Sequence, residues 1–527
     1  MARGRYRHAR RLGPRGDALP GALGRGVSAV KIAIRVDASA KIGTGHVRRS
    51  LSLAQALRDL GAEIRFVTRD LGVGSAALIA GQGFADTAQL PFPNAPFEPD
   101  PAIPHSAWAE VPLEQEVGET VDALHDYAPD WVVLDSYAFD ARWHEGVAEA
   151  LGCKIAQIDD VPDRKTAPDL LIDHTYAPDH RTKYADWLVG RTRILGGPRF
   201  GLLGPAFAEA ERYDFNETVR SVGIFMGGID AGHHAAVVLD ALDEAGFDGP
   251  VEVVATSANP NLAALRERIA ARPGTTLSLD LPDLAAFFAR HDLQVGAGGG
   301  ATWERCCIGV PTLLVVVAPN QNTVAPALAE KGAVAFASEP TRACITAELA
   351  ALLPDSARRR ALAETSRKLV DGLGATRVAL AMLAGSLSVR PATADDARMT
   401  FDWRDDPATR AVSLESGALE WRGHVDWLDR VLADPARKLF VGEIGGRPVG
   451  VIRFDFSSET RAEVSLYLDP ALHGVGLGPA LLLAGEAAAD PAIVDATVLE
   501  SNRPSQALFA RCGYEQVAPD RWVKRRS

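Results

Sequence analysis

His46 stands directly behind Gly43-Thr44-Gly45 and ahead of an apolar helical pattern, VRRSLSLAQALRDLG. A helix N-terminus carries partial positive charge on its unpaired N–H groups, and that field disfavours an imidazolium. A neutral imidazole placed there serves as a general base. The glycines, Gly45 among them, let another molecule approach the backbone closely. The same residues also suit a histidine that simply caps a loop. A second set lies in GAGGGATWE (296–304). A glycine turn running into a helix, here through Gly299, offers N–H groups to phosphate. Thr302 adds a hydroxyl, and Glu304, in the first helical turn, can accept from sugar hydroxyls. Gly227-Gly228 makes a comparable turn in FMGGID, and VAPNQN (317–322) brings Asn320 and Gln321 to a strand end, where amides hold acetamido or hydroxyl groups or simply make a turn. Late in the chain, LDPALHGVGLGP spaces Gly474, Gly476 and Gly478 ahead of another apolar helix, and successive amides in such a turn can cradle a diphosphate.

The elements that must position these residues alternate strand and helix. KIAIRVDAS, EIRFVTRD, DWVVLDSY, KIAQIDD and DLLIDH are short apolar runs ending in polar residues. That is βαβ patterning and predicts a parallel sheet with helices on both faces. Ligands of such sheets lie at the carboxyl ends of the strands, where Asp37, Asp135-Ser136-Tyr137, Asp159-Asp160 and Asp173-His174 fall. A second α/β series starts near residue 220 with SVGIFMGGID, and residues 194–207 cross between the two. A composition break at 383–397 opens a further domain of ordinary single-domain length. The expected division is an N-terminal extension over 1–29, a Rossmann-like lobe over 30–195, a nucleotide-binding lobe over 196–384, and an α/β domain over 385–527.

The bulk properties narrow the partners. The chain of 527 residues carries a net charge of -12, which argues against nucleic acid as the main partner. Its five cysteines form no CxxC pair and read as reduced thiols of a cytoplasmic protein. No metal-ligand spacing occurs, and no apolar run approaches the ~20 residues of a membrane span, so neither a metal nor membrane insertion is expected. Residues 1–26 hold seven Arg and one Asp without an apolar stretch. They read as a tail outside the fold, as the product of a start codon placed too far upstream, or as a basic arm.

Taken in order, RVDASAKIGTGHVRRSLSLA, VVLDSYAFD, IDDVPDR, DLLIDHTY, LGGPRFGLL, FMGGID, SANPNL, GAGGGATWERCCIGVP and NQN resemble one family. It is the UDP-2,4-diacetamido-2,4,6-trideoxy-β-L-altropyranose hydrolase family of pseudaminic acid biosynthesis. The resemblance implies a GT-B-like fold, as in a peptidoglycan GlcNAc transferase, with the nucleotide mainly on the second lobe and the sugar in the cleft. It implies that His46 activates water for inverting attack at the anomeric carbon, with UDP leaving and no metal needed. Tyr137 and Asn320 match the family's active-site tyrosine and asparagine. Asp37 either steadies the loop before His46, orients the histidine, or only ends a strand.

Residues 387–525 resemble the GNAT acyltransferases, whose glycine loop holds the diphosphate of acetyl-CoA. The family's loop is commonly Q/R-x-x-G-x-G/A. Here His473 replaces Gln or Arg, while Gly476 and Gly478 stay in register and Asn502 follows the next strand. The resemblance implies a base at Glu463. It also implies a tyrosine acid where this chain has Phe509, leaving Tyr514 or water in its place. His424 and Trp427 would either line the sugar side or be core or surface residues. The opening VRPATADDARMTFDWRDDPATR resembles GNAT enzymes acting on nucleotide-linked amino sugars. Together the two resemblances imply a bifunctional enzyme that N-acetylates the 4-amine of a UDP-amino sugar and hydrolyses the resulting UDP-diacetamido sugar. The alternatives are a GT-B glycosyltransferase fused to a GNAT domain, and a nucleotide-sugar sensor whose GNAT domain only binds ligand.

Overall fold

The computed structural model describes residues 29–319 and 321–526. The basic extension therefore lies outside the described residues, apart from its end, and so does Asn320. Three sheets organise the chain. The first is wholly parallel and runs Ala38–Ser39, Glu63–Leu71, Lys31–Val36, Trp131–Asp135, Lys154–Ile158, Leu170–Asp173, Arg193–Gly196, with Thr87–Leu90 also beside Glu63–Leu71. Its central strands are near-continuous Val, Ile, Leu and Ala because helices cover both faces. The helix Gly45–Asp59 buries Val47, Ser50, Leu53, Ala54 and Leu57 at helical spacing and ends before Gly61, whose φ of 86° suits glycine.

The second sheet is also parallel, in the order Thr275–Leu279, Val251–Ala255, Val222–Phe225, Leu293–Ala297, Thr312–Val315, Ala335–Ala337. In both sheets the chain reverses its direction of winding beside the opening strand. In the first this falls between Lys31–Val36 and Trp131–Asp135, and in the second between Val222–Phe225 and Leu293–Ala297. Such switch points open crevices at the strand ends. The third sheet joins Ser388–Pro391, Arg437–Ile444, Arg447–Ser458, Arg461–Leu468, Ile493–Thr497, Arg521–Arg525 and Glu515–Ala518. All its neighbours are antiparallel except Arg461–Leu468 with Ile493–Thr497.

The expected division at 196–384 needs revision at its end. The helix Gly374–Met382 and the turn Leu383–Ser386 return to the first lobe, where Val378, Leu380 and Leu383 share a core with Ile32, Val47, Leu57 and Phe200. That core continues into the third domain through Ile444, Val449, Leu472, Val475 and Leu477, all fully buried. The helical run Ser356–Ser386 is long and apolar enough by composition to cross a membrane, but 61% of that window is packed inside the molecule. All five cysteines carry free thiols.

Candidate active sites and their relatives

The first switch point assembles the opening histidine. Strands Lys31–Val36 and Trp131–Asp135 place Val36 beside Asp135, and the helix that follows the first strand brings His46 over the second. The Nδ1 of His46 lies 2.6 Å from Asp135 Oδ1. Because a carboxylate only accepts, this contact puts the proton on Nδ1 and the lone pair on Nε2. Nε2 has no protein partner among the described residues. Asp135 is itself held by Arg49 Nε at 2.8 Å and Nη2 at 2.5 Å, and by the Ser50 hydroxyl at 3.0 Å. Burial would raise the Asp135 carboxyl, but Arg49 and His46 outweigh it and hold the group well below the usual carboxylate range. Asp135 therefore stays ionised beside His46.

Tyr137 stands edge-on to His46 with ring centroids 4.9 Å apart, and Trp108 adds a second wall at 6.0 Å. The Tyr137 hydroxyl donates to Asp160. Burial, then Asp160, push its pKa well above the ordinary value, so it is a neutral donor. Asp37 is corrected. Its Oδ1 accepts from Arg35, from the Arg69 amide at 2.7 Å and from the Thr68 hydroxyl at 3.4 Å, inside a buried network with Glu116. It belongs to the interior and neither touches His46 nor faces the cleft.

The second switch point carries the glycine turns. Gly227 has a φ of 97°, and Gly228 accepts from the Thr256 hydroxyl at 2.6 Å through its carbonyl. Gly299 and Gly45 open onto free space, where a ligand can lie against the backbone. Thr302 is corrected: it is 1% exposed and its hydroxyl turns under the loop toward Arg305. Gln321 turns inward too, accepting the Val317 amide at 2.9 Å, so it shapes the strand end. Glu304 remains half-buried. Burial raises its carboxyl to about 7, against the pull of Arg305 and of Arg48 from the histidine helix of the first lobe. With His174 meeting Trp303 at 6.3 Å between ring centroids, Glu304 marks where the lobes face each other.

In the third domain the parallel pair registers only Arg461 with Ile493, Ala462 with Val494 and Glu463 with Asp495, and then the strands part. The gap suits an extended arm with a thioester, and the glycine turn beyond it suits a diphosphate. The amides of Gly476, Leu477 and Gly478 meet no protein acceptor among the described residues, at the N-terminus of the helix Gly478–Ala489. Gly474 and Gly476 have φ of 77° and 81°, and burial lowers the pKa of the His473 imidazole beside them. Glu463, at the fork, is exposed and accepts from Thr497 at 2.7 Å. Asn502 is corrected: it caps the helix Arg503–Arg511 through Ser505 and donates to the Val412 carbonyl at 3.2 Å, so its amide serves the protein. Tyr514 is no spare acid either, since its hydroxyl donates to buried Glu486 at 2.6 Å. His424 bonds Thr400 at 2.9 Å and lies tilted against Trp427, ring centroids 5.3 Å apart, within the helical cover of that sheet. Among the described residues no group of three or more His, Cys, Asp or Glu is placed to hold a metal ion.

Two parallel α/β lobes followed by a mainly antiparallel α/β domain define the class of this molecule. Residues 398–514 match the model of the acetyltransferase (GNAT) family. Among curated proteins, the spore coat polysaccharide biosynthesis protein SpsG of Bacillus subtilis is 30% identical over 198 residues, which are 36% of this chain. The chain spans 58% of the length of that relative. Among solved structures, MurG of Acinetobacter baumannii is 13% identical with a TM-score of 0.48, covering 66% of this chain and 98% of its own. The UDP-bound MnaA of S. aureus is 14% identical with a TM-score of 0.45, over 66% and 95%. The spermidine N-acetyltransferase of Vibrio cholerae, solved with CoA and spermine, is 16% identical with a TM-score of 0.25, over 26% and 92%.

Proposed function

We propose that this protein is a bifunctional enzyme that acts on UDP-linked amino sugars in the cytoplasm. Its first two lobes hydrolyse UDP-2,4-diacetamido-2,4,6-trideoxy-β-L-altropyranose, and its GNAT domain acetylates the 4-amine of the precursor. The observation that carries the hydrolase reading is the 2.6 Å bond from His46 Nδ1 to Asp135, which leaves Nε2 without a protein partner among the described residues. Nε2 takes a proton from water as the water oxygen bonds to the anomeric carbon. The bond from that carbon to the UDP oxygen breaks with its electron pair, giving UDP and the free sugar with inverted configuration. Asp135 stabilises the imidazolium that forms, and Arg49 keeps Asp135 ionised. Glycine amides near Gly228 and Gly299 receive the charge that builds on the departing diphosphate. Glu304 accepts from the hydroxyls of the nucleotide or sugar.

Acetyl-CoA fits the parted strands and the free amides of the glycine turn, and it supplies the acetyl group. Glu463 takes, through water, the proton that the amine nitrogen gives up as it bonds to the acetyl carbon. Because Phe509 lacks a hydroxyl and Tyr514 is tied to Glu486, solvent protonates the leaving thiolate.

Release of UDP from this substrate tests the hydrolase. The unsubstituted protein is expected to turn it over, and His46→Ala to lose about 10²–10⁴-fold in kcat, the scale of a positioned base. No release by the unsubstituted protein would sink the substrate assignment. Full activity in folded His46→Ala would leave His46 a structural cap.

A further inference from the structure

The glycine turn of the GNAT domain rests on arginines of the first lobe. Arg193, at the start of the last strand of the first sheet, donates to the Val475 carbonyl. Its Nη2 lies 2.5 Å from where a Cβ on Gly476 would stand, so the guanidinium occupies the space that glycine leaves. Arg199 lies 3.6 Å from the corresponding point on Gly474 and donates to Ala471 at 3.3 Å. Arg377 of the returning helix donates to the same carbonyl at 2.8 Å. On its apolar side the turn is sealed by Leu472, Val475 and Leu477, all fully buried in the first lobe's core.

Neither Arg193 nor Arg511, which ends the helix Arg503–Arg511, pairs with a carboxylate among the described residues. Burial and the like charge of Arg511 both lower the Arg193 pKa, which places the two cations in one field. Unneutralised guanidinium charge beside free amides and a helix N-terminus favours a multiply charged anion.

We infer that Arg193 of the first lobe is a positioning residue of the acetyl-CoA site: it fixes the Val475 peptide so that the following amides face the diphosphate. The GNAT domain then borrows part of its diphosphate site from the hydrolytic half, and acetyl-CoA affinity depends on how the two are docked. This inference rests on the acetyl-CoA reading of the third domain and is independent of the UDP-sugar assigned to the first two.

The test is calorimetric binding by the full chain of acetyl-CoA and of S-acetylpantetheine, which has the thioester arm without diphosphate or nucleotide. In Arg193→Met the preference for acetyl-CoA over S-acetylpantetheine is expected to fall about tenfold, the scale of one charge-assisted hydrogen bond. Arg193→Lys, which keeps a cationic donor, restores most of it. A general loosening of the domain would instead weaken both ligands together and leave the ratio unchanged, and that outcome overturns the inference. Should Arg193→Met fail to fold, Arg193→Ala removes the donor without placing an apolar chain beneath the turn and is expected to lower the ratio by about tenfold as well. An unchanged ratio there counts equally against the role. If the unsubstituted protein binds no acetyl-CoA, the cofactor reading fails and the inference fails with it. If it binds acetyl-CoA and the variants match it, the inference alone fails.

Discussion

Burial holds the Glu304 carboxyl at about 7 in the folded protein, while an unfolded Glu titrates near 4.3. Between those values the folded state keeps a proton that the unfolded chain has lost. Stability from this group is therefore complete below the unfolded pKa and falls as pH rises through 7. Glu304→Gln removes the titration, so thermal unfolding of the variant between pH 5 and 8 should lose the part of the slope that belongs to Glu304. That part is on the order of 3 kcal/mol. If ligand hydroxyls reach the ionised carboxylate, UDP binding also tightens more with pH in the unsubstituted protein than in the variant. Equal slopes in both proteins would remove Glu304 from the cleft. At this scale the sequence was legible where a glycine turn ahead of a helical pattern places a side chain at a helix mouth, as with the position of His46. It was illegible where the answer is a direction. Asp135 lies 89 residues from His46, and only strand pairing brings the two together. Thr302, Gln321, Asn502 and Asp37 sit in motifs that suggested ligand contact, yet each turns its side chain into the protein, because a motif fixes position along the chain and leaves the outward or inward face to packing.

The elements were more readable, because an apolar run bounded by polar residues and glycines is the physical requirement of a buried parallel strand. KIAIRV, WVVLD and VEVVA all form such strands. The return of the helix Gly374–Met382 to the first lobe left no local trace, since any apolar helix face would look the same whichever core it joins. The structure shows why a glycine begins it. A Cβ on Gly374 would collide with the backbone nitrogen and carbonyl oxygen of Gly201, in the segment that joins the lobes. Backbone atoms cannot rotate away as a side chain tip can. Gly374→Ala is therefore expected to cost about 1–3 kcal/mol by overpacking. Thermal unfolding would register this as a midpoint lowered by several degrees. An unchanged midpoint would mean that the helix shifts freely on the joining segment, contrary to the packing described.

For the whole molecule, the composition break at 383–397 marks where a further domain begins, and a flexible connection there would raise the local concentration of an intermediate only modestly. Packing replaces that picture. Ile444, Val449, Leu472, Val475 and Leu477 of the GNAT domain are fully buried in one core with the first lobe. The hairpin at Gly445 presses on the carbonyl of Leu60, at the far end of the helix that begins beside His46. Each of those five side chains is worth roughly 1.5–3 kcal/mol of burial, an upper estimate that still rivals the ~5–15 kcal/mol stability of a typical domain. The excised segment 385–527 should therefore bind hydrophobic dyes and melt without a cooperative transition, while calorimetry of the full chain shows the first lobe and the GNAT domain unfolding together. A fragment that melts cooperatively at the full-chain temperature would show that the shared core adds little. In that case the glycine turn at 474–478 would not depend on the first lobe for its shape. If the fragment instead collapses, the fusion is an obligate unit, and changes that loosen the first lobe will appear as weakened acetyl-CoA binding at a distance.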